Sequence, residues 1–168
     1  MTSYTHIDSP VGELLLAADD GGLQLIEFAS PRHPATRGSG WREGSNALIE
    51  QARAQLGEYF AGDRRAFDLP LSPRGTPFQL DVWRALQRIP YGATTSYAAL
   101  ASGIGKPSAT RAVGAANGRN PLPIVVPCHR VIGADGSLTG FGGGLPIKQF
   151  LLALEGAIPA RTDLFAVR

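Results

Sequence analysis

The sequence predicts an α/β chain in two parts, a small N-terminal α/β unit and a mainly helical C-terminal unit, on three observations. Apolar runs broken by turn signals fill positions 1–30, helix-start signals repeat after position 75, and acidic and basic residues are shared unevenly between the halves. With 168 residues, 43% of them hydrophobic, the chain can bury one good core or two small ones. The boundary is expected at the linker-like Ser72-Pro73-Arg74-Gly75, giving units 1–75 and 76–168.

Three strands over 4–8, 13–19 and 23–28 are expected as a meander, because Ser9-Pro10-Val11-Gly12 and Asp20-Gly21-Gly22 supply the turns. Positions 31–44, with two prolines and three glycines, read as a loop. From 46 to 60 a helix is expected, since Leu48, Ile49, Ala52, Leu56, Tyr59 and Phe60 fall on one face and Gly62 closes it. A short strand over 66–71 would rejoin the sheet.

Thr76-Pro77-Phe78-Gln79 combines an N-cap threonine, a proline at the first helical position and a glutamine at the third, so a helix begins at Pro77. Its buried stripe is expected to be Phe78, Val82, Leu86 and Ile89. Pro90-Tyr91-Gly92 ends it. A short helix over 97–102, capped by Thr95 or Ser96, and another over 109–117 are joined by a glycine-containing turn, the outline of a helix-turn-helix. A last helix over 146–155 has Ile147, Phe150, Leu151 and Leu154 at helical spacing and Gly156 just past its end.

No apolar run is long enough to cross a bilayer, and no basic segment followed by an apolar stretch opens the chain, so cytoplasmic residence is expected. One cysteine and the scattered His6, His33 and His129 cannot make metal-ligand spacing; no metal is expected. Positions 1–71 hold 6 Lys/Arg against 10 Asp/Glu, and positions 72–168 hold 10 against 4, giving −4 and +6. The second half suits an anionic partner such as nucleic acid, although uneven surface charge by chance gives the same numbers.

A lone intracellular cysteine is ordinarily a buried, inert apolar residue. The neighbours of Cys128 argue otherwise. Pro127-Cys128-His129-Arg130 follows the apolar Ile124-Val125-Val126, which reads as a buried strand or turn delivering a base and a fixed cation beside the only thiol. Because a thiolate is the nucleophile, such neighbours suit nucleophilic catalysis. Glu155, in the last turn of its helix, meets an unfavourable macrodipole of ~0.3–1 kcal/mol, so it is either an exposed residue at a frayed end or the partner of a group such as His129. In the helix over 109–117, Ala109, Ala112, Gly114, Ala115 and Ala116 permit close approach either to another helix or to DNA, and Arg111 and Arg119 favour DNA.

From Gly75 to Gly156 the sequence resembles the O6-alkylguanine-DNA alkyltransferase (methylated-DNA-protein-cysteine methyltransferase) family. The matching segments are Arg111-Ala112-Val113-Gly114, the run from Asn120 through Pro127-Cys128-His129-Arg130 to Gly133, Gly143-Gly144-Leu145, and Leu151-Leu152-Ala153-Leu154-Glu155-Gly156. The first half resembles the ribonuclease H-like domain of these proteins more weakly, and the resemblance makes the second half winged helix-turn-helix-like. It implies Cys128 as alkyl acceptor, His129 as the base acting through a water, and Glu155 as the carboxylate holding the histidine. Tyr97 matches the tyrosine that helps rotate the target nucleotide and donates to the guanine ring. Arg111 matches the arginine that fills the vacated place in the duplex. Asn120 matches the asparagine tying the recognition helix to the active-site turn, and the backbones at Cys128, Val131 and Gly142 would read the base. Phe141 stands where some relatives carry tyrosine, and Gly142 where some carry serine.

The implied function is direct reversal of O6-alkylguanine in double-stranded DNA, with O4-alkylthymine a second candidate, by a single irreversible transfer to Cys128. No cofactor, membrane or obligate protein partner is expected, and the chain is expected to be a monomer. The alternative is a non-catalytic damage-binding module of the alkyltransferase-like type, against which the retained Cys128, His129 and Glu155 argue. A cysteine hydrolase is a weaker rival, because nothing in the sequence points to its oxyanion site.

Overall fold

The computed structural model describes residues 1–31, 33–35, 38 and 40–159. Residues 32, 36, 37 and 39 of the expected loop and 160–168 of the C-terminal unit lie outside the described residues. The meander forms as expected: β1 (Ser3–Ile7), β2 (Leu14–Asp19) and β3 (Gly22–Phe28) pair antiparallel in sequence order. A fourth strand, β4 (Arg42–Glu43), adds parallel to β1, so the sheet order is β3-β2-β1-β4. It lies inside the segment read as loop. Two charged residues carry no apolar alternation, and their place in the sheet is set by the pairing Ser3 to Arg42 and Tyr4 to Glu43.

Helix α1 (Ala47–Phe60) covers one face of the sheet. Its N-cap Asn46 accepts from the Ile49 amide at 2.9 Å and donates from Nδ2 to the Ala18 carbonyl at 3.0 Å, which fixes the helix start on β2. Ile49, Ala52, Leu56 and Tyr59 form its buried stripe at helical spacing. The unbroken apolar run Leu14 to Ala18 follows from burial on both faces. Leu14, Leu16 and Ala18 enter the main core, while Leu15 and Ala17 form a second cluster with Leu25 under Tyr4 and Trp41.

The strand expected over 66–71 shrinks to one parallel bridge between Leu23 and Leu71. The Leu23 amide donates to Pro70 O, and the Ser72 amide donates to Leu23 O, each at 2.8 Å. Pro70 has no amide proton to extend the ladder, which is why the pairing stops there.

In the second half, α2 (Pro77–Leu86) starts with the complete capping box between Thr76 and Gln79. A mini-sheet of β5 (Thr95–Ser96) and β6 (Val131–Ile132) precedes and follows α3 (Tyr97–Gly103), α4 (Thr110–Gly118) and a 3-10 turn, Cys128–Arg130. Gly105, at φ +76°, turns the chain between α3 and α4. Trp83 Nε1 donates to the Ala116 carbonyl at 2.9 Å, locking α4 onto α2. The last helix, α5 (Leu145–Leu154), is rotated from the expected face. Lys148, Leu151 and Leu152 are buried, whereas Ile147, Phe150 and Leu154 are half-buried. No helix among the described residues is long and apolar enough to cross a membrane.

The two halves share one hydrophobic core, running from Leu14 and Leu56 through Val82 and Leu86 to Val113 and Leu151. Within the first half, Gly22 marks where β3 lies close against the 70–72 segment. A Cβ there would stand 2.9 Å from Leu71 C and Pro70 O, at φ +153°. Gly22→Ala should therefore destabilise the fold by about 1–3 kcal/mol, read from the midpoint of denaturant unfolding. An unchanged midpoint would show that the 70–72 segment yields freely.

Candidate active site

The turn that presents Cys128 is held from both sides. Ile124, nearly fully buried, takes φ +76°, a conformation that a β-branched residue adopts only when its surroundings impose it. The segment 124–126 is thus a turn and not a strand. Asn120, just past α4, donates from Nδ2 to Val126 O at 2.8 Å and accepts from the Leu122 amide at 3.0 Å. On the other side, Val131 pairs with Thr95 at the start of α3. The helix pair and the cysteine turn are therefore one mechanical unit.

Cys128 is buried and lines a cavity of about 300 Å³. Its walls come from both halves, including Phe28 and Pro31 from the first and Asn120, Pro123, Phe141 and Gly142 from the second. Phe141 is buried against Phe28, with ring centroids 5.6 Å apart. At Gly142 an added Cβ would meet nothing within 4 Å, so open space adjoins it. A neighbouring cavity shares Phe141, Gly142, Gly118 and His33 and is also lined by Tyr97, Gly114 and Thr139. Tyr97 begins α3, shares a hydrogen bond of 2.9 Å with the Thr139 hydroxyl, and lays its ring 3.7 Å from where a Gly114 Cβ would stand.

His129 is completely buried. Its Nε2 lies 2.7 Å from Glu155 Oε2. An ionised carboxylate can only accept, so Nε2 carries the proton and Nδ1 of the neutral ring keeps its lone pair. Nδ1 has no hydrogen-bond partner among the described residues. Glu155 stands one residue beyond α5 as its C-cap, buried and not frayed. Arg130 grips it side-on, Nε to Oε1 at 2.8 Å and Nη2 to Oε2 at 3.0 Å, and Tyr59 donates to Oε2 at 2.6 Å. These donors offset the helix dipole that made a carboxylate unexpected there.

The electrostatics differ from the sequence expectation in one respect. Arg130 turns away from the thiol, toward Glu155 and the Ile89 carbonyl. The cation whose charge acts on Cys128 is Lys148, fully buried, with Nζ donating to Val131 O at 2.6 Å and Thr139 O at 2.9 Å. Burial pushes the thiol up to about 11, and a hydrogen bond from Asn120 and the charge of Lys148 offset only part of that. Cys128 is accordingly a neutral thiol at rest. Burial also lowers His129, against the pull of Glu155, and lowers Lys148 to about 8. Burial alone would raise Glu155, but hydrogen bonds from His129 and Arg130 outweigh it and hold the carboxyl at about 2.

Of the residues singled out in the sequence, Cys128, His129, Glu155, Asn120, Val131, Phe141 and Gly142 gather around the cysteine turn, and Tyr97 lines the adjoining cavity. Arg111 stands apart, exposed on α4. The small residues of that helix divide between two tasks: Ala116 is buried beneath Trp83, while Ala112 and Ala115 are exposed on the outside with Arg111. Tyr59 and Lys148 were missed as site residues. Tyr59 read as one apolar position of α1, and Lys148 drew no reading at all; only the tertiary fold brings their polar tips to the site. No group of three or more His, Cys, Asp or Glu that could hold a metal ion occurs among the described residues.

Fold and site together define the class of this molecule: a two-domain α/β protein whose helical half sets one buried cysteine, backed by a histidine-glutamate pair, beside a helix-turn-helix. Residues 2–73 match the family model of the 6-O-methylguanine DNA methyltransferase ribonuclease-like domain, and residues 77–157 match that of the DNA binding domain. A methylated-DNA--protein-cysteine methyltransferase of Mycolicibacterium paratuberculosis is 53% identical, over 98% of this chain and 99% of that protein. One of Methanosarcina acetivorans is 50% identical, over 92% and 98%. The crystal structure of Mycobacterium tuberculosis OGT in complex with DNA is similar at a TM-score of 0.85 and 47% identity, covering 97% of this chain and 99% of that one. The chain belongs to the 6-O-methylguanine DNA methyltransferase family.

The buried network makes stability depend on pH in a definite sense. His129 is held below its ordinary 6.5, so its contribution is full above that pH and declines as the unfolded chain takes up a proton below it. Glu155 is held at about 2 against an ordinary 4.5, so its contribution is full above 4.5 and is lost as pH falls toward 2. Glu155→Gln should cost about 3 kcal/mol or more at neutral pH, by leaving Arg130 buried without its anion, and should flatten the stability curve between pH 4.5 and 2. Denaturant midpoints across that range check both; a curve merely displaced, with its slope kept, would mean the carboxylate is not the titrating group.

Proposed function

We propose that this protein removes the alkyl group of O6-alkylguanine from double-stranded DNA by transferring it irreversibly to its own Cys128. The observation that carries this reading is the fully buried His129, next to the only cysteine of a chain in this family and paired through its ring with Glu155. Nδ1 of His129 takes the thiol proton through a bridging water, and Glu155 balances the imidazolium that forms. Sγ attacks the alkyl carbon in line, the carbon-sulfur bond forms as the carbon-O6 bond breaks, and the electron pair leaves with the guanine. The departing base regains a proton on its ring, with the Tyr97 hydroxyl as donor, replenished from solvent. A thioether is stable in water, so each molecule acts once. No cofactor is needed, because the substrate carries its own activated alkyl group.

The target base has to leave the stack to reach a cavity inside the protein. Helix α4 suits the entry to the duplex: Ala112 and Ala115 leave its outer face shallow, and Arg111 projects from that face to occupy the place of the extruded base. Asn120 transmits the position of α4 to the cysteine turn. Backbone groups at Cys128, Val131 and Gly142 read the base edge, and Phe141 with Pro123 gives an apolar wall for the alkyl group. In this reading residues 1–75 brace the site, residues 76–168 carry recognition and chemistry, and the protein works as a cytoplasmic monomer.

DNA carrying labelled O6-methylguanine should leave one label per protein molecule on the parent and none on Cys128→Ala, which should still bind the DNA. Label released catalytically would indicate a hydrolase, and an unlabelled parent a damage-binding module. For Arg111→Ala, repair of duplex DNA should fall about 10-fold or more relative to reaction with the free alkylated base. Equal losses on the two substrates would place Arg111 in the fold or the chemistry instead.

A further inference from the structure

The oxygen of Glu155 that meets His129 is crowded. Oε2 accepts from His129 Nε2 at 2.7 Å, from the Tyr59 hydroxyl at 2.6 Å and from Arg130 Nη2 at 3.0 Å. Tyr59 belongs to α1, 96 residues away in sequence, and both its side chain and that of Glu155 are buried. The ring is held by Phe60, Phe67 and Tyr91, with centroids at 5.3, 5.5 and 6.4 Å, so the hydroxyl has little freedom to point elsewhere. A buried phenol with one strong acceptor costs stability if that acceptor is lost, yet an aliphatic residue would fill a core without that risk. This polar tip therefore has a use beyond packing.

We propose that Tyr59 is a positioning residue for the transfer relay, supplied by the N-terminal half: its hydroxyl fixes and partly neutralises Glu155 Oε2, so that His129 rests as a neutral ring with Nδ1 free to take the thiol proton. The inference rests on the Cys128-His129-Glu155 reading above. Each donor on Oε2 withdraws charge that would otherwise stabilise an imidazolium, and the Tyr59 hydroxyl points the positive end of its dipole at that oxygen. The tyrosine hydrogen bond is stronger while His129 is neutral than when it is charged, so by linkage it disfavours protonation of the ring. Arg130 acts in the same direction, and its charge also lowers His129. A ring already protonated could not receive a proton from Cys128.

Among the described residues, the charged and titratable groups around the pair are few. Tyr59 comes from α1, Tyr91 from the chain after α2, Arg130 and Cys128 from the 3-10 turn, and Lys148 from α5. The Tyr91 hydroxyl is engaged with Leu154 O at 3.4 Å, and its ring lies under the Arg130 guanidinium at 5.7 Å. Lys148 is held by Val131 O and Thr139 O. Tyr59→Phe keeps the ring and its packing and removes only the donor, while the two bonds from Arg130 still hold the carboxylate.

The test is the pH profile of Cys128 alkylation by iodoacetamide in the intact, DNA-free chain. Glu155→Gln should raise the midpoint, because an amide cannot balance the imidazolium. Tyr59→Phe should lower it, by about half a unit or more, since Oε2 then gives more of its charge to His129. Opposite signs are what a purely structural tyrosine would not produce. A midpoint unchanged or raised in Tyr59→Phe, with that of Glu155→Gln raised, overturns the role of Tyr59 and leaves the relay standing. A Glu155→Gln profile identical to the parent's removes the relay and this inference with it. If Tyr59→Phe does not fold, 3-fluorotyrosine at position 59, a stronger donor of nearly the same size, should move the midpoint up; an unmoved or lowered one overturns the proposal.

Discussion

The rest of the structure depends on one buried ionised carboxylate. Glu155 sits where a helix end repels negative charge and where burial opposes ionisation, and it stays ionised because four hydrogen bonds converge on its two oxygens. Those donors come from α1 and from the cysteine turn, and the carboxylate itself belongs to the C-cap residue of α5. Three elements distant in sequence therefore meet at one group. Any arrangement that separated them would strand a buried charge, so the same interaction that orients His129 also holds the two halves of the molecule in register.

The remaining architecture delivers the cysteine turn to that point. Trp83 ties α4 to α2, Asn120 ties the end of α4 to Val126, and the β5-β6 bridge ties α3 to Val131. The exposed face of α4 and the buried thiol are joined by short, satisfied connections and not by a flexible linker. Ile124 shows the cost of this, since a β-branched residue at positive φ is tolerated only where the core around it leaves no alternative. The N-terminal half takes part as a wall, through Phe28 against Phe141, and as a hydrogen-bond donor, through Tyr59.

Local signals were legible in the sequence, and long-range polar contacts were not. The Thr76-Gln79 capping box, the apolar stripe of α1 and the glycines at turns are written within a few residues, and each element forms where they indicate. The Cys128-His129 pair was visible as neighbours, and Glu155 as a carboxylate in an unfavourable place. The strand expected over 66–71 does not extend beyond one bridge, because Pro70 lacks the amide that would lengthen the ladder. β4 was invisible because its two residues take their conformation from β1. Tyr59 and Lys148 each look ordinary in their own helix, one as an apolar position and one as a charged residue. Arg130 was assigned to the thiol by adjacency along the chain, whereas its side chain points to the opposite side of the turn.

Burial of Cys128 bears on storage as much as on reaction. A molecule that is spent in one event has to keep its reagent intact until that event arrives. A thiol held at about 11 inside a narrow cavity is almost wholly uncharged at neutral pH, and an uncharged thiol is a poor target for peroxide, disulfide exchange and stray electrophiles. The safeguard lies in the surroundings of the sulfur and not in the sulfur itself: in the proposed relay, the proton comes off when a carbon is in place to receive the bond and a histidine is ready beside it. Shelf life and reactivity are thereby set by the same few side chains.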